Sequence, residues 1–168
     1  MDSESQEFPL NVSIREAHEN ILKFMRVTAR SGTRYFLAKT DPETYPVEQL
    51  QKDGNTVWDG VKNAQALRAI REMKKGDLVF IYHSMGAAAI VGLAEVSGDG
   101  RPDLRDPKLA VADFHFLNLI EPPVTLREIK ESGLFPEWAL VRQSRLSTMT
   151  VPDEFVVWIK KERPSAGI

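Results

Sequence analysis

The sequence predicts an α+β fold, a small mixed β-barrel with flanking helices, preceded by a helical extension. Three observations lead there. Segments of strand character crowd the middle of the chain, between about residues 78 and 121. Segments with helical periodicity and capping residues lie towards its ends. Successive strands also follow one another without the helical crossovers that a parallel sheet requires. A chain of 168 residues is long enough for one domain with a sizeable core and short for two. The expected organisation is an N-terminal extension over residues 1–33, one domain over 34–163 and a short tail over 164–168.

Taken in order, Ser13-Ile14-Arg15-Glu16 has the spacing of a capping box, and Ile14, Ala17, Ile21, Leu22 and Met25 form an apolar stripe behind it. An amphipathic helix over 14–28 follows. Such a helix either packs on the domain behind it or docks a partner protein or a second copy of the chain. Ser31-Gly32 marks a break. Tyr35 to Lys39 reads as a strand of aromatic and apolar residues, ended by the turn chemistry of Thr40-Asp41-Pro42. Pro46 to Asp53 reads as a short helix with proline in its first turn and Gly54 after it.

In Leu67 to Lys75 the apolar positions 67, 70 and 73 recur at helical spacing, and the turn Lys74-Lys75-Gly76-Asp77 closes the segment. Leu78 to His83 and Ala87 to Val96 read as strands paired in a hairpin about Ser84-Met85-Gly86. Ser97 to Asp103 reads as a polar loop in which solvation explains Asp99 and Asp103. A long strand over Leu109 to Glu121 is expected to stop at Pro122-Pro123. Thr125 and Glu128 have capping-box spacing for a short helix ended by Gly133. Trp138 to Arg145 reads as a strand or loop. Asp153 is placed to cap a final helix whose Val156, Val157, Trp158 and Ile159 cover the core.

The totals exclude several function classes. A net charge of −2 and a pI near 6.0 argue against a basic coat protein that binds nucleic acid non-specifically. Without cysteine there is no disulfide framework, thiolate nucleophile or Cys-type zinc site. His18, His83 and His115 lie too far apart in sequence to suggest a metal site. His83-Ser84 lacks a nucleophile elbow, and adjacent strand residues face opposite sides. Gly98 and Gly100 match neither a P-loop nor a dinucleotide fingerprint. No enzyme, metal or cofactor is therefore expected. No apolar run approaches the roughly 20 residues that span a bilayer, the start lacks the basic residues of a secretory signal, and residues 1–33 are too acidic for a transit peptide. A soluble intracellular protein is expected, without a membrane partner.

The most informative stretch is Trp58-Asp59-Gly60-Val61-Lys62-Asn63-Ala64-Gln65-Ala66. It combines an aromatic plate, a bendable glycine and two side-chain amides, the parts of a reader for a flat polar ring. From Trp58 to Lys75 the bases Lys62, Arg68, Arg71, Lys74 and Lys75 face only Asp59 and Glu72, a local charge of +3 in a slightly acidic chain. Trp58 as a core aromatic and Asn63 as a helix N-cap explain the same residues more simply. Arg142-Gln143-Ser144-Arg145 offers two guanidinium forks and an amide, suited either to phosphate and base-edge contacts or to a solvated edge.

These pieces converge. Lys39-Thr40-Asp41-Pro42, Trp58 to Asn63, Gln65-Ala66, Lys75-Gly76-Asp77, Tyr82-His83-Ser84, Val91 to Val96 and Arg142-Gln143-Ser144-Arg145-Leu146-Ser147 together resemble the EVE domain, the family of thymocyte nuclear protein. The resemblance covers about residues 34–160. It implies a PUA-like fold related to the YTH and SRA readers of methylated RNA and DNA, no catalysis, and a pocket for a modified base, a modified cytosine in DNA above all. The alternatives are a reader of modified RNA and a protein-interaction module on the same scaffold. The localisation it implies is cytoplasmic in a bacterium and nuclear in a eukaryote.

Carried over residue by residue, the resemblance makes Trp58 the stacking wall and gives Asn63 and Gln65 edge or backbone-shaping hydrogen bonds. His83 and Ser84 form the pocket rim. Lys39, Arg142 and Arg145 hold phosphates or polar ring substituents, and Gln143 and Ser147 complete the ligand set. Lys62, Arg68, Arg71 and Lys75 face the backbone phosphates. The chain departs from the commonest family pattern, Arg-Asn-Tyr-Gln-Ala-Arg, at Ala64 and Leu67, which lose an aromatic and a guanidinium, and has Thr40-Asp41-Pro42 in place of Ser-Glu-Pro. The expected consequence is a retuned ligand preference.

Overall fold

The structure, a computed structural model, describes His18, Glu19 and residues 32–168. The chain divides into two units, Met1–Gly32 and Thr33–Ile168. Of the first, His18 and Glu19 are helical and exposed, and the rest of the helix expected over 14–28 lies outside the described residues.

The second unit is a mixed α+β domain. Strand β1 (Tyr35–Thr40) leads through helix α1 (Val47–Asp53), strand β2 (Asn55–Trp58) and helix α2 (Ala64–Glu72) to β3 (Leu78–His83). Then come β4 (Ala89–Pro102), β5 (Ala110–Thr125), α3 (Leu126–Glu131), α4 (Ala139–Arg142), β6 (Thr148–Thr150) and α5 (Asp153–Glu162). The six strands form one sheet in the order β2-β5-β4-β3-β1-β6. β1 and β3 run parallel, Tyr35 beside Leu78 and Thr40 beside His83, and the other four pairings are antiparallel. The single parallel pair is the one whose connection carries two helices, as parallel neighbours require. The edge strands β2 and β6 come within reach of each other: the Trp58 indole Nε1 donates to Thr148 Oγ1 at 3.3 Å.

Local chemistry explains most boundaries. Gly54, at φ 76°, ends α1 in a conformation that side chains with a Cβ resist. Asn63 caps α2 by accepting from the Gln65 and Ala66 amides at 2.9 and 3.1 Å. Helix α2 buries Ala66, Leu67, Ala69 and Ile70 against β4, β5 and β6, leaving Arg68 and Arg71 exposed. Thr125 caps α3 through the Glu128 amide. Helix α5 buries Phe155, Val156 and Ile159, and Phe155 meets Phe80, Phe135 and Trp138 at ring separations of 5.8, 5.4 and 4.5 Å. Such aromatic pairs contribute about 0.5–1.5 kcal/mol each beyond their burial.

Tertiary contacts override the local reading in several places. The stretch 97–102 is the far end of β4 and not a loop: it pairs with Ala110, Val111 and Asp113. Its glycines allow a close approach, since a Cβ on Gly100 would lie 1.9 Å from the Ile70 carbonyl oxygen of α2. Asp103 is buried rather than solvated, its carboxylate taking the Arg105 backbone amide and guanidinium. The guanidinium hydrogen bond holds its pKa below the usual carboxylate value. β5 runs on through Pro122-Pro123 to Thr125, because the register jumps between Ile90↔Val124 and Gly92↔Leu119. The bulge removes the ladder in which proline lacks a donor. Residues 139–142 form a helical turn rather than a strand or open loop, and the strand comes later, at β6, anchored by its pairing with β1. Asp153 is the first residue of α5, and the cap position belongs to Pro152. Residues 164–168 fold back: Ala166 is buried and its carbonyl accepts from Asn118 Nδ2 at 2.5 Å.

Candidate functional site

Where β2 meets the β1 and β6 side of the sheet, a cleft of about 780 Å³ opens. Its walls are the end of β1 with the turn beyond it (Lys39, Thr40, Asp41, Thr44, Tyr45), β2 with the loop that follows (Thr56 to Lys62), and Ser147. The volume lies within the roughly 300–1,000 Å³ of small-ligand pockets.

Trp58 is the principal apolar surface of this cleft. Its indole stacks on Phe114 at 5.3 Å and 19°, and its N–H is held by the buried Thr148 hydroxyl. Phe114 covers one face of the half-buried ring, so what the cleft receives is the opposite face and the rim. The two fixings set the plate before any ligand arrives, lowering the ordering cost of binding. The asparagine cap at Asn63 fixes the start of α2 and thereby the end of the 59–62 loop.

Tyr45 is a second aromatic residue on the cleft wall. Its hydroxyl donates to Asp53 Oδ2 at 2.8 Å, and burial raises its pKa, a Thr56 hydrogen bond opposing and Asp53 adding to the shift. Lys39 lines the cleft, and its Nζ donates to the Ser144 carbonyl at 3.2 Å and lies 5.6 Å from the Tyr82 ring centre. Burial holds this ammonium below its usual 10.5. With its backbone amide on the Ser147 carbonyl at 2.7 Å, Lys39 ties the 144–147 loop to β1. Charges on the walls alternate, with Lys39 and Lys62 against Asp41 and Asp59. Asp59 is met by Arg105 at 2.9 Å.

Of the residues singled out in the sequence, Lys39, Trp58, Lys62 and Ser147 share this cleft. Gln65 and Arg68 instead line a smaller hollow of about 320 Å³ between α2 and β6, with Thr148 among its walls. Asn63 is exposed, its oxygen committed to the α2 cap. His83 is buried, and its Nε2 accepts the Val47 amide at 3.0 Å, which anchors α1. Burial lowers its pKa, with Glu48 opposing. Ser84 is exposed and hydrogen-bonded to the Thr40 carbonyl at 3.3 Å, beside the cleft but outside its walls.

Arg142 pairs with Glu137, Gln143 ends α4, and Arg145 is exposed. Arg71 donates to the Lys108 carbonyl at 2.8 Å, and Lys75 is exposed. Of the departures from the family pattern, Ala64 and Leu67 stay clear of the cleft, the first exposed on α2 and the second buried in the core, whereas Thr40 and Asp41 of the altered Thr40-Asp41-Pro42 turn line it. Tyr45 and Thr56 were absent from the sequence expectation. The only signal for Tyr45 was its place just beyond the Thr40-Asp41-Pro42 turn. Among the described residues no group of acidic, histidine or cysteine side chains is arranged to hold a metal, and no helix is long and apolar enough to cross a membrane.

Comparison with known proteins bears on the family and the fold. The EVE domain model matches residues 34–162. Thymocyte nuclear protein 1 of Mus musculus is 27% identical over 190 residues, spanning 88% of this chain and 84% of that protein. The NMR structure of Rpa0253 from Rhodopseudomonas palustris matches with a TM-score of 0.73 at 31% identity, over 79% of this chain and 94% of that one. The crystal structure of human THYN1 protein, in complex with DNA containing 5-methylcytosine, shares the fold with a TM-score of 0.69 at 24% identity, over 77% of this chain and 98% of that one. The chain belongs to the EVE domain family.

Proposed function

We propose that this protein is a non-catalytic reader of a modified base, a modified cytosine in DNA, and that the base leaves the stack to enter the cleft beside Trp58. One observation carries the reading. Lys39, Trp58, Lys62 and Ser147, from separate segments, converge on one cleft in a chain whose fold relative was crystallised with 5-methylcytosine DNA. The Trp58 to Thr148 bond between the edge strands supports a sheet curled into a PUA-like barrel with the cleft at its seam. The reader is the 34–163 domain, soluble and intracellular, needing neither cofactor nor metal.

The energetics are those of exchange. Extruding a base costs a few kcal/mol, and stacking on an aromatic returns about 1–3 kcal/mol per base. Hydrogen bonds to the base edge must supply the rest, and a ring substituent that fills the cleft tips the balance. Asn63 acts by shaping the loop and Ser147 by its place on the wall. Gln65 and Arg68, in the adjoining hollow, meet the flanking nucleotide, and Lys62, Arg71 and Lys75 face phosphates. His83 and Ser84 support the rim, and Arg142, Gln143 and Arg145 extend the polar surface beyond Ser147.

Titration of matched oligonucleotides, with and without 5-methylcytosine, at one fixed salt concentration tests the reading. Wild-type protein binds the modified duplex more tightly, and Trp58→Ala loses that preference. Equal affinity for both duplexes, or a preference that survives Trp58→Ala, overturns it.

A further inference from the structure

The turn between β4 and β5, residues 103–109, carries Leu104, whose side chain is fully exposed at 100% relative accessibility. A single surface leucine is ordinary. Its setting is not, because the turn around it is tightly braced. Asp103 is 6% exposed and accepts the Arg105 amide and guanidinium at 2.9–3.2 Å, and its own amide donates to the Leu109 carbonyl at 3.0 Å. Asp106 accepts the Lys108 amide at 3.1 Å, and Arg71 grips the Lys108 carbonyl at 2.8 Å. An apolar side chain is thus held out into solvent by a fixed frame.

Two further observations put this turn beside the cleft. Trp58 pairs with Ala112, and the β4 to β5 pairing ends at Pro102↔Ala110, two residues or about 7 Å along β5 from the tryptophan's partner. Arg105, the neighbour of Leu104, donates to Asp59 on the cleft wall at 2.9 Å. The exposed cations Arg101, Arg105 and Lys108 lie within four residues of the leucine in sequence, Arg101 braced by Asp113 at 3.0 Å and Arg105 by Asp59 at 2.9 Å.

We infer that Leu104 is a wedge that enters the duplex beside the extruded base and fills the gap it leaves, with Arg105 and Lys108 on the flanking phosphates. Proteins that distort DNA insert apolar side chains between base steps to offset the lost stacking. A braced turn suits that task because little entropy remains to be lost on insertion. This inference rests on the reader function proposed above and adds to it the element that holds the duplex open.

Leu104→Ala separates the two. Affinities for a 5-methylcytosine duplex and for the same modified strand alone are measured for wild type, Leu104→Ala, Leu104→Phe, Trp58→Ala and the control Leu134→Ala, an exposed leucine outside the site. The wedge predicts that Leu104→Ala weakens duplex binding about tenfold more than single-strand binding, because only the duplex leaves a gap to fill. It also predicts that Leu104→Phe retains duplex binding and that Leu134→Ala matches wild type. Trp58→Ala weakens both substrates. Equal effects of Leu104→Ala on the two substrates, or none, overturn the wedge while leaving the reader standing. A wild-type protein indifferent to the modification overturns both.

Discussion

Trp58 and Trp138 both direct their indole N–H to β6, the first to the Thr148 hydroxyl at 3.3 Å and the second to the Thr150 carbonyl at 3.0 Å. Both also lie against phenylalanine rings, Trp58 on Phe114 and Trp138 between Phe135 and Phe155. Their surroundings differ in one respect. Trp138 is 6% exposed, covered by α5 and the 135 loop, whereas Trp58 is half-buried and its remaining surface lines the cleft. The same side chain with the same anchoring strand is core in one place and a candidate binding face in the other. What decides is whether a second layer of structure covers it.

The comparison can be broken by substitution. Trp138→Ala, which empties a packed aromatic cluster, lowers unfolding free energy by about 3–5 kcal/mol in urea denaturation, and the molecules that remain folded keep their affinity for modified DNA. Trp58→Ala inverts this pattern. It loses about 1–3 kcal/mol of binding, or roughly 5- to 150-fold in Kd by titration, while costing less stability than Trp138→Ala because part of the ring is already wet.

Thr148→Val sharpens the contrast further. It removes the acceptor that orients Trp58 without removing the ring, and costs about 1 kcal/mol of stability with a smaller loss of affinity than Trp58→Ala. Substituting β6 at exposed Thr150 leaves Trp138 anchored, because that bond uses the backbone carbonyl.

The smallest effect concerns His83, assigned to the rim by resemblance and found holding the α1 amide. Burial depresses its pKa below the ordinary 6.5, so the unfolded chain takes up the proton first as pH falls. Stability attributable to this site is therefore intact above about pH 7 and declines as pH drops through 6.5 towards the folded-state value. His83→Gln, which keeps an acceptor for the amide but does not titrate, flattens the dependence of the urea midpoint on pH between about 7 and 5.

Legibility from sequence followed the range of the interactions. β1, α1, the cap of α2, the β3–β4 hairpin and the cap of α3 were readable because each is set by residues within a few positions. The course of β4 to Pro102 was not, because Gly98 and Gly100 look like loop glycines until Asp113 and the Ile70 carbonyl are brought against them. β6 is three residues long and exists by pairing with β1, which no local pattern announces. β5 passes its two prolines only because a bulge relieves the ladder there.

The site divides in the same way. Trp58 and Lys62 stood in one informative segment, and Lys39 and Ser147 came with the family resemblance. Tyr45 was hidden because its partners are Asp53, eight residues on, and the walls of a cleft formed by distant strands. Asn63 and His83 carry polar groups that read as ligand contacts in sequence and are spent on backbone amides in the fold.

The central claim, that Trp58 and not Trp138 or Trp158 meets the base, is tested most directly by the ¹H–¹⁵N indole spectrum of the full chain. Three tryptophans give three indole signals, assigned by substituting each in turn. On titration with a 5-methylcytosine duplex the Trp58 signal shifts progressively while those of Trp138 and Trp158 stay in place, and unmodified duplex produces a smaller change. Binding of the modified duplex with the Trp58 signal unmoved contradicts the account.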